Sequence, residues 1–441
     1  MERFGMSETR WTRIEEILDG KKTDKTVHLR GWIYRTRSSG NIVFTVMRDV
    51  TGILQATVKK GNLPDNEFED AKKALIESSV ELNGVVKEDK RAPGGYEMQV
   101  TGFHVFHFAE PFPIVKDQSP EFLLDQRHLW IRSQKLSSVF KIRSTVVGAI
   151  HKFFRDRGYV EFDAPVLQPN QCEGGSTLFE VKYYDNKTYL SQSWQLYAEA
   201  AIFSLEKIYN MGPTFRAELS KTSRHLSEFW MAEMEAAWMD LHDVVRVAKD
   251  EVKFILNEVL TYNKRELNIL NQDIKKLQHI AGSEFPTITY TEALEILNKK
   301  EKMDVKWGKD LRTIEEDKLM GHFDTPVVVT NYPVEIMAFY KPRDPVNPKT
   351  ALCFDMIAPE GYGEIIGGSQ RSLDIEDMKK RLRDAGEKTE NYEWYFDLRR
   401  YGSVPHAGYG LGVERLVAWI CGIDNIKDSI PFPRTILRFK P

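Results

Sequence analysis

From Val27 to Val105 apolar and polar residues alternate in short runs, VHLRGWI, NIVFTVMRD, ILQATV, SVELNGVV and YEMQVTGFHV, broken by SSGN, Thr51-Gly52 and APGG. A period of two bounded by turn residues predicts strands with one face buried. A helix-compatible stretch, NEFEDAKKALIES, falls between the third and fourth runs. Five strands with a helix in that place predict an OB-fold barrel, whose open face binds oligonucleotides, although a generic five-stranded domain would carry the same pattern.

Residues 106–135 hold Pro111, Pro113 and Pro120 and little periodicity, which predicts a linker and hinge. The expected division is a barrel over 1–108, a linker over 109–135 and a larger domain over 136–441. In that domain Val139, Ile142, Val146, Ile150 and Phe153 recur at helical spacing, Gly158 can cap the helix, and YVEFDAPVL reads as a strand ending near Pro165. Residues 241–280 are helical in pattern and 286–325 read as a variable insertion. Strand signals return in PVVVTNYP and ALCFDMIAP, followed by a polar helical stretch at 374–386 and a glycine-rich run, GYGLGVERL, that enters an apolar helix. Strands alternate with helices, yet neither GxGxxG nor a GKT or GKS loop occurs, which argues against the Rossmann and P-loop solutions to nucleotide binding. The expected class is α+β.

Composition narrows this picture. The 441 residues are 41% hydrophobic, 11% aromatic and 29% charged, as in a folded globular protein of two or three domains. No run of 18 apolar residues occurs, so no membrane span is expected, and the first residues lack the apolar stretch of a secretory signal, so a cytoplasmic protein is expected. Cys172, Cys353 and Cys421 stand far apart, which supports neither a disulfide framework nor a zinc site. The net charge is -3, but the first sixty residues hold twelve Lys or Arg against seven Asp or Glu. Any polyanion site is therefore local, and a solvated surface would also account for that excess.

The chemistry concentrates in FRAELSKTSRHLSEF, from Phe215 to Phe229. Arg216, Glu218, Arg224, His225 and Phe229 on one hairpin could hold a nucleotide by both phosphate and base. In FDMIAPEGYGE, a strand, turn and strand should return Asp355 and Glu364 to one end of a hairpin. One or two carboxylates with phosphate oxygens and water suit magnesium, while two exposed turn acids are the plainer reading.

Together with GYGLGVERL, the hairpin resembles the second and third signature motifs of class II aminoacyl-tRNA synthetases, in the subgroup that charges Asp, Asn and Lys. The helix, strand and proline around 139–165 resemble the first motif, which implies a homodimer. The resemblance covers residues 20–441 and implies a catalytic domain built on an antiparallel sheet, with Arg216, Glu364 and Arg415 as catalytic residues. Arg216 would hold the α-phosphate of ATP, Glu218 would meet the adenine side, Arg224 and His225 would reach the terminal phosphates, and Phe229 and Arg415 would cover the base. Leu226, Gly412, Val413 and Glu414 complete the implied ATP site, Gly408 and Gly410 let the backbone approach it, and Glu364 with Asp355 would bind Mg2+.

The amino-acid side rests on the same likeness. Glu173 and Gln195 would meet the substrate α-ammonium, and Arg371 the side-chain oxygen. In YLSQSWQLYAEAAIF, Ala198 stands where aspartyl enzymes carry a lysine, and Glu199 matches the acid that accepts from an amide NH2; Gly367 replaces a serine. A carboxylate in that place would penalise aspartate. The likeness thus implies asparaginyl enzymes of archaeal or eukaryotic type, which attach L-asparagine to tRNA(Asn) through an asparaginyl-adenylate. An aspartyl enzyme of relaxed tRNA choice or an asparagine synthetase-like paralogue are the alternatives. In the barrel, Arg37, Phe44 and Gln55 match anticodon-binding positions, although Phe44 shares its parity with Ile42 and Val46 and could equally face the core.

Overall fold

The computed structural model describes residues 11–172, 177–220 and 222–441. Two compact units divide the chain, Met1–Leu123 and Leu124–Pro441. In the first, β1 (Thr26–Ser39), β2 (Ile42–Arg48), β3 (Ile53–Lys59), β4 (Ser79–Glu88) and β5 (Tyr96–His107) close a barrel in the order β1-β2-β3-β5-β4. The helix Asp65–Lys73 lies between β3 and β4. Period two sorts the side chains: Val43, Thr45 and Met47 are buried, while Ile42, Phe44 and Val46 stay on the half-exposed face. Phe44 is therefore not a core residue.

The second unit is built on an eight-stranded sheet, ordered Thr287–Thr289, Val327–Thr330, Cys353–Ala358, Gly363–Gln370, His406–Gly412, Glu228–Ala237, Lys207–Phe215 and Val160–Glu161. The central strands are antiparallel, but the pair at each end is parallel, so the sheet is mixed rather than wholly antiparallel. Ala232, Met234 and Ala236 alternate into one core with Ala407, Tyr409, Leu411, Phe354 and Met356, covered by the helices Gln134–Arg155 and Leu241–Tyr262. Their sequence neighbours Glu233, Glu235, Gly408, Gly410 and Asp355 belong to the other face, and that face carries the cavities.

The first-motif helix buries all five of its expected apolar positions, with Ser133 accepting from Leu136 N at 3.3 Å as its N-cap. The following strand is shorter than expected, only Val160–Glu161. Beyond it the Phe162 carbonyl accepts from the Trp194 indole at 2.7 Å and from Asn210 at 3.3 Å, so side chains take over from the ladder. Within 109–135 stand two short helices, Pro120–Asp125 and Arg127–Trp130. The supposed insertion holds the strand Thr287–Thr289, the helix Tyr290–Lys299 with a Thr289/Glu292 capping box, and the helix Thr313–Met320. Its apolar side, including Tyr290, Leu297 and Leu319, packs with Val327 and Cys353 into a core of its own.

Candidate active site

Two cavities, of about 330 Å³ and about 260 Å³, open on the polar face of the sheet and share Arg216, Met231, Asp310, Glu364 and Gly410. The larger lies over the hairpin in which Phe215 pairs with Glu228. Arg216 and Glu218 follow the end of the strand at Phe215, so strand parity is not what aligns them; the Arg216 amide still donates to the Ser227 carbonyl at 3.0 Å. Both line the cavity, as do Arg224, His225, Leu226, Phe229, Glu364, Gly412, Glu414 and Arg415. Val413 does not, being fully buried at the start of the helix Val413–Cys421.

Three arginines and a histidine ring a half-buried aromatic here. The Arg216 guanidinium stands 5.5 Å from the Phe229 ring centre, and Arg415 Nη1 donates to the Glu364 carbonyl at 2.7 Å. Burial and the charges of Arg415, Arg216 and Arg224 push the His225 imidazole below its ordinary value, against Glu218. An environment that discourages a further positive charge is one made for a polyanion. Glu414 acts structurally, accepting from Trp230 N at 2.8 Å and pairing with Arg143 at 2.8 Å. It thereby ties the helix Gln134–Arg155 to both nucleotide motifs.

Asp355 sits opposite Gly367 and Ile357 opposite Glu364, with a bulge between Met356 and Ile357. The two acids are thus not at one end of the hairpin, but both lean over Gly367, where an added Cβ would lie 2.7 Å from Glu364 Oε1 and 3.5 Å from Asp355 Oδ1. Burial and then the charge of Glu364 raise Asp355 well above the carboxylate range, and the same two causes, in the same order, raise Asp310 and push Glu316 up to about 7. Asp310 and Glu316 come from the supposed insertion, which carried no motif by which to find them.

In the smaller cavity, Gln195, Gly367 and Arg371 line the wall beside Glu233 and Glu235. Arg371 forks onto Glu235, with Nε to Oε1 at 3.0 Å and Nη2 to Oε2 at 2.7 Å, and Nη1 donates to Ser369 Oγ at 2.8 Å. That fork explains Gly408, whose Cβ would lie 2.2 Å from Glu235 Oε2 and 2.3 Å from the Met234 carbonyl; the glycine clears the glutamate rather than a ligand. Glu233 accepts from Ser193 Oγ at 2.6 Å and Trp194 N at 2.9 Å.

The direct substrate contact expected of Glu199 is not what the geometry offers. Glu199 is fully buried and is absent from the cavity wall, its oxygens taking hydrogen bonds from Gln195 at 3.0 Å, Tyr395 at 2.7 Å and Arg399, with His406 Nε2 at 2.9 Å. Burial pushes its carboxyl up, but Arg399, His406 and Arg371 outweigh this and hold it ionised. Ligand atoms of Glu199, Glu235 and His406 lie within 4.8 Å of one another, but Arg371 and Arg399 already supply the positive charge that a metal would bring. Ala198 is buried among Trp194, Ile202 and Ile208, and Glu173 lies outside the described residues.

On the barrel, Arg37 pairs across from Phe44 and its guanidinium stands 4.6 Å over the ring. Gln55 shares the same outer face of β3 and donates to Glu97 at 3.1 Å.

Comparison with known proteins agrees with this geometry. A family described as tRNA synthetases class II (D, K and N) matches residues 119–436, and an OB-fold nucleic acid binding domain matches residues 27–106. An asparagine–tRNA ligase of Pelotomaculum thermopropionicum is 48% identical, covering 96% of this chain and 98% of the relative. One from Thermoplasma acidophilum is 46% identical over 97% and 99%. The crystal structure of asparaginyl-tRNA synthetase from Pyrococcus horikoshii complexed with asparaginyl-adenylate superposes with a TM-score of 0.93 at 45% identity, covering 98% of this chain and all of that one. The chain belongs to the asparagine–tRNA ligases, in the aspartate, asparagine and lysine subgroup of class II aminoacyl-tRNA synthetases.

Proposed function

We propose that the two joined cavities divide one reaction between them, the larger taking ATP and the smaller L-asparagine, with tRNA(Asn) as the final acceptor. The reading is carried by the junction: Arg216 and Glu364 belong to both walls, where an α-phosphate and an amino-acid carboxylate would have to meet. The asparagine carboxylate oxygen attacks the α-phosphorus, the bond to the β-phosphate oxygen breaks, and pyrophosphate leaves. Arg216 steadies the charge that builds on the α-phosphate oxygens, Phe229 and Arg415 enclose the adenine, with Glu218 at its edge, and Arg224 with His225 receive the terminal phosphates. A ribose 3′-hydroxyl of the tRNA then attacks the activated carbonyl and AMP departs. No protein nucleophile is needed.

Asp355 and Glu364 suit a magnesium ion: they are hard oxygen donors, and Asp355 is raised by burial and then by the neighbouring charge of Glu364, a repulsion that a cation would relieve. Bound there, the ion would neutralise phosphate charge. For the amino acid, Arg371 keeps donors beyond those spent on Glu235 and Ser369 and offers them to the side-chain oxygen, while the carboxylate edge of Glu233 in the cavity wall suits the amide NH2 and repels a second carboxylate. Glu199 serves by fixing Arg399, His406 and Gln195 around that floor, and Ala198 adds no cation that would favour aspartate. Gln195, with Glu173, is assigned to the α-ammonium.

The barrel is assigned to the anticodon through Arg37, Phe44 and Gln55. Self-association through the first-motif helix and a cytoplasmic site of action belong to the same reading; among the described residues no helix is long and apolar enough to cross a membrane. ATP–pyrophosphate exchange with asparagine and aspartate compared, with and without tRNA, tests the assignment. Asparagine-dependent exchange is expected, and exchange with aspartate alone would sink it.

A further inference from the structure

The helix Thr313–Met320 brings two acids to the loop of the nucleotide hairpin. Arg224 Nη2 donates to Asp317 Oδ1 at 3.0 Å and to Oδ2 at 3.3 Å, and Glu316 Oε2 lies 3.8 Å from Nη1. Nη1 is itself buried and has no hydrogen-bond acceptor among the described residues, and the residue lines the larger cavity. The turn between Cys353–Ala358 and Gly363–Gln370 closes the arrangement. Gly363, at φ +73°, has no room for a side chain, since a Cβ would lie 2.8 Å from Glu316 Oε2 and 3.3 Å from Arg224 Nη1. Three segments far apart in sequence are therefore shaped to one guanidinium.

We propose that Glu316 and Asp317 are positioning residues for ATP, clamping the Arg224 guanidinium at the wall of the larger cavity so that its plane is already fixed when the terminal phosphates arrive. The proposal rests on the assignment of the larger cavity to ATP. Leu219, five residues before Arg224, is 86% exposed. A free arginine gives up rotamer entropy when it is fixed, and a clamp meets that cost during folding rather than at binding. The acids lower the net positive charge, but a forked contact to phosphate depends on the plane of the guanidinium as well as its charge.

The test is pyrophosphate exchange by the full chain carrying Glu316→Gln and Asp317→Asn together. The Michaelis constant for ATP should rise about fivefold or more, with that for asparagine unchanged. Inhibition by AMP, which lacks the terminal phosphates, should also be unchanged, and Asp317→Glu should retain tight ATP use. In an Arg224→Ala background the same two substitutions should add nothing, because the arginine through which they act is gone. Equal weakening of ATP and AMP, additive effects with Arg224→Ala, or a lowered Michaelis constant for ATP would overturn the clamp. If Arg224→Ala itself leaves ATP binding unchanged, the assignment of the cavity fails with it; if that variant weakens ATP and the acid variants do not, only the clamp fails.

Discussion

Glu251, on the helix Leu241–Tyr262, is fully buried beneath the sheet. Burial pushes its carboxyl up to about 8, against a hydrogen bond from the Tyr409 hydroxyl at 2.5 Å. The folded chain therefore keeps a proton that an unfolded carboxyl, near ~4.3, gives up. The stability tied to that proton is fully present below the unfolded value and is lost as pH rises through about 8. Glu251→Gln supplies a permanently neutral partner for Tyr409, so denaturant midpoints of the native chain should fall relative to the variant between about pH 5 and about pH 8. Parallel profiles would show that Glu251 is not protonated in the fold. Buried acids of this kind were hidden in the sequence. In QLYAEAAIF a lone glutamate fits a pocket wall as well as a core, and its partners Tyr395, Arg399 and His406 arrive from far downstream. Motif positions such as Arg216 and Phe229 were readable because their residue types carry the chemistry wherever the backbone puts them.

Among the elements, the short helix Arg127–Trp130 makes the case that proline-rich stretches can be structural. Arg127 is fully buried and its guanidinium reaches the carbonyls of Pro431 at 2.8 Å, Ile430 at 2.8 Å and Lys427 at 2.9 Å, and Asp428 Oδ1 at 3.1 Å. This segment continues from Ile426, which packs with Ile430 and Leu226 against Phe229, so the clasp supports one wall of the nucleotide cavity. Arg127→Met would leave three carbonyls without their donor and Asp428 with Lys135 alone, at 3.3 Å, at a cost of about 3–5 kcal/mol. Chemical unfolding of the catalytic unit should show that loss, and the Michaelis constant for ATP should rise with it; a variant of native stability would mean the clasp is dispensable. Periodicity did not reveal the clasp, because a single buried arginine leaves no apolar pattern. Strand identity was legible for the opposite reason: in PVVVTNYP and ALCFDMIAP apolar runs rich in β-branched and aromatic residues mark the largely buried strands Val327–Thr330 and Cys353–Ala358. The helix Thr313–Met320 was missed because its buried residues are few and its acids resemble a solvated surface until Arg224 is beside them.

At the scale of the whole molecule, the core inside the barrel is separate from the one between the large sheet and its helices. This much followed from length and from the change of period near residue 106, since neither pattern could bury the other's apolar face. Separate cores let RNA recognition be altered without disturbing amino-acid activation. Phe44 tests this because it belongs to the outer face of β2, so its removal opens no cavity in the barrel core. Its ring is already covered from one side by Arg37, and a splayed base on the other side would complete a stack worth about 1–3 kcal/mol. Phe44→Ala should therefore lower kcat/KM for tRNA charging by about one to two orders of magnitude, while asparagine-dependent pyrophosphate exchange without tRNA stays at the native rate. A fall in both would place Phe44 in the support of the fold, and a fall in neither would remove it from the anticodon site; only loss of charging with activation intact fits a base stacked on that ring.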